Sequence, residues 1–221
     1  MIEWNKEVAS IIQLSLVALF LVLMLLKRKE LGIGIIYFII ATALVLCIDT
    51  FLFAIRFSIP RFNSVPLYSV GTNLIVFLLF FLYFRQLLEL EKSKRINLIT
   101  IIIFLASYGL FAVFSDNFFT TFPFKFYFIE VLLLLGNIYL VLHETFNSDK
   151  VLRIKYYFPL WACIGLMSIY LGVTPLMIIS NSAMKLMSVN IFFLILLIVN
   201  VIGYSILIIG AILAKNINIK K

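Results

Sequence analysis

The feature that most constrains this chain is a series of seven long apolar runs separated by short breaks. They fall at about 8–26, 31–55, 66–88, 96–114, 123–142, 156–179 and 187–214. A helix crossing the hydrocarbon core of a bilayer needs about 20 mainly apolar residues at about 1.5 Å rise each. The runs are continuous rather than alternating, which argues for helices and against a lipid-facing β-barrel. In a chain of 221 residues, seven such spans leave no stretch for a separate soluble domain. The expectation is an all-α, polytopic integral membrane protein in which residues 1–221 form a single seven-transmembrane-helix domain.

Composition agrees. Hydrophobic residues make up 64% of the chain and charged residues 13%, against about 45–50% and about 25% in soluble domains. There is too little polar surface to coat a soluble enzyme, a nucleic-acid-binding module or a disordered chain. The start, Met1 to Glu7, lacks the basic region of a signal peptide, and the first run ends at the basic triplet Lys27, Arg28, Lys29. The first run therefore reads as a retained span.

The basic residues predict an orientation, because cytoplasmic connections are enriched in Lys and Arg. One set of connections carries Lys27, Arg28 and Lys29; Arg85, Lys92, Lys94 and Arg95; Lys150, Arg153 and Lys155; and Lys215, Lys220 and Lys221. The other set carries only Lys6, Arg56, Arg61, Lys125 and Lys185. This split puts the amino terminus outside and the carboxyl terminus in the cytoplasm. The net charge of +8 then marks the cytoplasmic face and the lipid headgroups rather than nucleic acid. Trp4, Tyr68 and Tyr127 would sit near the outer interface, and Tyr156, Tyr157 and Trp161 near the inner one.

Close packing must hold such helices together, since lipid offers no hydrophobic drive between them. Gly165 and Gly172 lie seven apart in the sixth span, and Gly203 and Gly210 lie seven apart in the seventh. Seven residues are about two turns, so each pair marks one helix face and predicts close approach of these two spans. Pro175 is expected to kink or end the sixth span near its outer end. Pro60, Pro66 and Pro123 fall in or beside outer connections.

Polar residues at membrane depth are costly and are functional candidates by default. Gln13, Asp49, Asn73 and Glu130 come from four spans yet fall at one depth in the predicted outer half, with Tyr127 a turn above Glu130. They are the candidate ligand-binding residues, lining an outward-facing pocket for a small ligand, an ion or a lipid headgroup. The competing reading is interhelical hydrogen bonding with no ligand, with Asp49 paired to Arg56 seven residues on. In the fifth span Glu130, Asn137 and Glu144 form a polar stripe at intervals of seven, ending beside His143.

Several chemistries lack their residues. The seventh span has no mid-membrane lysine for a retinal Schiff base, and no His-Glu-x-x-His, Gly-x-Ser-x-Gly or phosphate-binding glycine loop occurs. Cys47 and Cys163 lie in apolar runs and read as packing residues, and His143 is the lone histidine. No catalytic residue, metal or cofactor is predicted. The layout of an outer amino terminus, seven spans, short loops and a basic end resembles the seven-span sensor modules that bacteria attach to, or encode beside, histidine kinases and transcription regulators. Tyr83–Leu88 and Asn200–Tyr204 share that character. The resemblance implies signalling through a partner protein, because no output domain is present, and it carries over no ligand residues.

The functional expectation is a non-enzymatic inner-membrane sensor or membrane-embedded subunit. A small ligand would reach it from the outer face, and a protein partner would meet the cytoplasmic loops, the stretch Arg85–Arg95 above all, and the tail from Lys215 to Lys221. The alternatives are a substrate-binding subunit of a transporter and an integral-membrane lipid enzyme using Asp49 and Glu130.

Overall fold

The computed structural model describes residues 6–59, 62–182 and 189–215. Trp4, Pro60, Arg61, Lys185, Lys220, Lys221 and the side chains of Lys6 and Arg56 lie outside that description. Seven long helices follow in order: α1 (Lys6–Leu26), α2 (Ile35–Ser58), α3 (Val65–Leu87), α4 (Glu91–Phe114), α5 (Phe124–Phe146), α6 (Phe158–Ser182) and α7 (Val189–Leu213). Each contains a segment long and apolar enough to cross a membrane. A 3₁₀ segment, Asp149–Tyr156, precedes α6 and breaks at Arg153 (φ −125, ψ 28).

Exposure is inverted relative to a water-soluble protein. Val113 and Phe114 are 76% and 80% exposed, while Glu130 and Asn137 are 0% exposed. Large apolar side chains thus cover much of the outer surface while a few polar ones are buried among the helices, as lipid demands of a helix whose backbone bonds are satisfied internally.

The helices depart from the sequence expectation in four places. α4 begins at Glu91 rather than near 96, because the charged residues before the apolar run are themselves helical. Glu91 in the first turn complements the helix dipole and accepts a bond from Lys94 Nζ at 3.1 Å. The amphipathic stretch from Arg85 to Arg95 is therefore two helix ends, separated by extended backbone at Leu88 and Leu90. Pro175 does not end α6, which continues to Ser182. The proline removes only the donor to the Leu171 carbonyl, a loss that membrane helices tolerate. Lastly, Tyr68–Val76 within α3 winds as a π-helix, a rare conformation frequent at functional sites.

The chain divides into two compact units. The first comprises Met1–Leu31 and Lys155–Lys221, hence α1, α6 and α7. The second is Gly32–Ile154, hence α2 to α5.

In the first unit α6 and α7 meet through glycines. A Cβ on Gly165 would lie 2.5 Å from Leu207 Cγ and 3.3 Å from Gly203 O, and one on Gly172 would lie 2.6 Å from Val199 Cγ1. A Cβ on Gly203 would strike Ile169, and one on Gly210 would strike Trp161. Lys27, just past α1, joins α1 to α7. Its Nζ donates to the carbonyls of Ala211 (3.1 Å), Ile212 (2.7 Å) and Ala214 (3.1 Å), and pairs with Glu30 at 2.9 Å. A cation on the last carbonyls of a helix satisfies orphan acceptors and opposes the dipole. α1 and α7 therefore end side by side.

In the second unit the core is aromatic. Phe38 of α2 meets Phe80 and Tyr83 of α3, with ring centroids 5.2 and 5.1 Å apart. Phe104 of α4 meets Phe81 of α3 at 5.1 Å and Phe126 of α5 at 5.9 Å. At one end, Asn63 Nδ2 donates to Phe119 O at 3.3 Å, joining the α2–α3 and α4–α5 connections. At the other end Glu89 N donates to Glu144 Oε2 at 2.7 Å, and Lys150 pairs with Glu89 at 2.7 Å. A Cβ on Gly34, whose φ is +76, would lie 2.7 Å from Gln86 Cβ, so the start of α2 also belongs to the Glu89 end. Glycine suits both that left-handed backbone and the close approach.

Candidate functional site

The polar stripe of α5 faces the interior of the second unit. Phe126, Glu130 and Asn137 lie within about 40° of one another at about 100° per residue. Phe126 packs on Phe104 and Tyr108 of α4. Asn137 Oδ1 accepts a 2.6 Å bond from Asn97 Nδ2, also of α4. Glu130 lies between these two contacts and is wholly buried.

Asn97 joins three helices. The same Nδ2 donates to Phe81 O of α3 at 3.1 Å, and Asn137 Nδ2 donates back to Leu133 O in its own helix at 2.8 Å. Interhelical amide bonds of this kind contribute about 0.6–2 kcal/mol in membrane proteins. Asn97 was absent from the sequence-derived candidates. A fourth run that starts at 96 leaves residue 97 at its very end; the longer helix from Glu91 carries it into the core, where it is 0% exposed.

The π-helical part of α3 carries Ser69 (0% exposed) and Asn73 (4% exposed). Gly71, between them, faces Ile48 of α2 and leaves no room for a side chain. Asn73 stands on the side of α3 away from Gly71, with Phe77 one turn further on; the Phe77 ring stacks on Phe104 at 6.5 Å. Among the described residues, Ser69 Oγ, Asn73 Nδ2 and both carboxylate oxygens of Glu130 have no hydrogen-bond partner. A buried polar group without a partner costs about 1–3 kcal/mol, and more if charged, so such groups call for a role other than stability.

The other sequence-derived candidates fall as follows. Asp49 of α2 is half-buried and accepts a 3.1 Å bond from Tyr68 OH at the start of the π-helix. Its expected partner Arg56 has its side chain outside the described residues. Tyr127 is 5% exposed, with its ring 5.7 Å from Phe122. Gln13 is half-buried on α1 and belongs to the first unit, whereas Asp49, Asn73, Tyr127 and Glu130 all belong to the second. His143 is exposed, with its ring 6.0 Å from Tyr139. Ser69 was also missed, since one serine beside a tyrosine carries no signal until the backbone winding turns it inward. No group of three or more His, Cys, Asp or Glu able to hold a metal occurs among the described residues.

No protein-family model, curated protein or solved structure matches this chain.

Proposed function

We propose that the protein is a non-enzymatic membrane-embedded sensor, or a subunit of a membrane complex, that receives a small ligand in the second unit and passes a signal to a partner protein. One observation carries this reading. A wholly buried Glu130 with no hydrogen-bond partner heads a polar stripe whose far end, Glu144, is bonded to the backbone of Glu89. A change of contacts at Glu130 is thereby linked along one helix to the junction of Glu89, Glu144 and Lys150.

We assign the Glu89 end to the cytoplasmic face of a bacterial inner membrane, with the amino terminus outside. The support is the basic set Arg85, Lys92, Lys94, Arg95 and Lys150 at that end of the second unit. In the first unit Lys27, Arg28, Lys29 and Lys215 gather where α1 and α7 end together. The layout-level resemblance to seven-span sensor modules points to a kinase or a transcription regulator as the partner. The resemblance rests on span count, orientation and loop length.

The test is to purify the tagged protein from its native membranes after mild cross-linking. Stoichiometric recovery of a kinase or regulator, lost on Lys150→Glu, is the expected result. Recovery of an ATPase instead would make the protein a transporter's substrate-binding subunit, a role that a buried carboxylate also suits. Turnover of lipid extract lost on Asp49→Ala would overturn the non-enzymatic reading.

A further inference from the structure

The basic residues of the two units keep different company. In the second unit Lys94 pairs with Glu91 at 3.1 Å and Lys150 with Glu89 at 2.7 Å. In the first unit Lys155 and Lys215 share one tyrosine instead. Lys155 Nζ lies 4.9 Å and Lys215 Nζ 4.8 Å from the centre of the Tyr156 ring. Both lysines are exposed, and neither has an acidic partner among the described residues. A ring attracts cations, but two ammonium groups gathered on it repel each other, and an anion relieves that repulsion.

The backbone fixes the arrangement. Lys215 N donates to Tyr156 O at 3.2 Å, which ties the end of α7 to the start of α6. Trp161 Nε1 donates to Lys155 O at 3.0 Å, and Trp161 packs against Gly210 of α7. Lys27 Nζ bonds Ala214 O at 3.1 Å, the carbonyl just before Lys215. Lys27 thereby offsets the negative end of the α7 dipole, which would otherwise repel an anion there. The surface alongside is apolar: Leu26, next to Lys27, is 78% exposed, and Ile212, whose carbonyl Lys27 bonds, is 56% exposed. A charge site bordered by lipid-facing side chains suits an anion that carries acyl chains.

We infer that Lys155, Lys215 and the Tyr156 ring form a binding site for the phosphate headgroup of an anionic phospholipid. Each ammonium has three donors, so it rests on the ring and still reaches phosphate oxygens. A zwitterionic headgroup brings its own cation, which the two lysines repel; an anionic one does not. Tyrosine and tryptophan favour the headgroup level of a bilayer, and basic pockets between helix ends hold anionic headgroups. The site is separate from Glu130 and does not depend on the sensor reading.

The experiment is native mass spectrometry of the purified full chain in detergent, titrated with dioleoylphosphatidylglycerol or dioleoylphosphatidylcholine. Phosphatidylglycerol should be retained at least about tenfold more tightly. Lys155→Gln combined with Lys215→Gln should abolish that preference. Lys92→Gln combined with Arg95→Gln removes two exposed bases from the second unit and should leave it within about twofold. Tyr156→Leu keeps both lysines but not the ring that gathers them. It should weaken retention about threefold, and it stands in if the double lysine variant does not fold. Equal retention of the two lipids, equal losses in both double variants, or displacement of the lipid by sodium phosphate would overturn the inference. So would loss of a recovered protein partner in the Lys155, Lys215 variant with lipid retention intact, which would make this surface a protein contact.

Discussion

The two compact units solve the same problem by different chemistry. α1, α6 and α7 are held by backbone closeness: four glycines where α6 meets α7, and a lysine over the last carbonyls of α7. Among the described residues, the one buried polar side chain there is Asn200, and its Nδ2 bonds Leu196 O in its own helix. α2 to α5 are held by stacked aromatics and an amide clamp, and they bury Thr42, Ser69, Asn73, Ser93, Asn97, Glu130, Asn137 and Thr145. Small residues and dispersion suffice to pack helices in lipid. The first unit therefore shows that the polar groups of the second are not required merely to make helices associate. Asn97 and Asn137 have bonds that explain them, whereas Glu130 does not.

The comparison is most exposed at the glycines. Gly203→Leu should destabilise by about 3 kcal/mol, since the new side chain meets Ile169 and approaches the Gly165 carbonyl. That is a fall in Tm of roughly 6–12 °C, read by thermal unfolding in detergent. A Cβ on Gly109 or Gly136 would meet nothing within 4 Å, so leucine at either should stay within about 0.5 kcal/mol. Equal effects at all three positions would show that the glycines of the first unit have no special packing role.

The amide clamp comes next. Asn97→Leu should cost about 1–2 kcal/mol, because it strands Asn137 Oδ1 and removes the link to Phe81 O. Combined with Asn137→Leu, it should cost less than the sum of the single changes in a double-mutant cycle. Asn200→Leu should cost less than either, and a larger loss there would erase the contrast between the units. Lys27→Met should cost about 1 kcal/mol through the uncapped end of α7. The smallest effect is expected at Lys150→Met, whose ion pair with the exposed Glu89 is worth no more than about 0.5 kcal/mol.

Much of the fold was readable because hydropathy and helix length are strong, local signals. All seven runs correspond to helices long and apolar enough to cross a membrane, and the main boundary shift, at α4, came from charged residues that remain helical in its first turn. The polar stripe of α5 was readable from its period of seven, since the residues on one helix face are fixed by the sequence alone. What residues on different helices do together was not readable in this way. The bond that Asp49 accepts from Tyr68 on the next helix could not be read from the spacing on its own helix. Gln13 was grouped by depth with four residues that belong to the other unit. Asn97 and Ser69 escaped notice because their burial depends on where α4 starts and how α3 winds. Lys27 was read as a topology signal, but it is also the cap of a helix that ends 186 residues later in the chain.

The central claim is that Glu130 is retained for a ligand rather than for stability, and the Tm of Glu130→Gln in detergent tests it most directly. Replacing a buried carboxyl group that has no hydrogen-bond partner with an amide of the same shape breaks no bond, so Tm should stay within about 2 °C. A fall in Tm as large as that of Asn97→Leu would contradict the account and make Glu130 part of the structural seam.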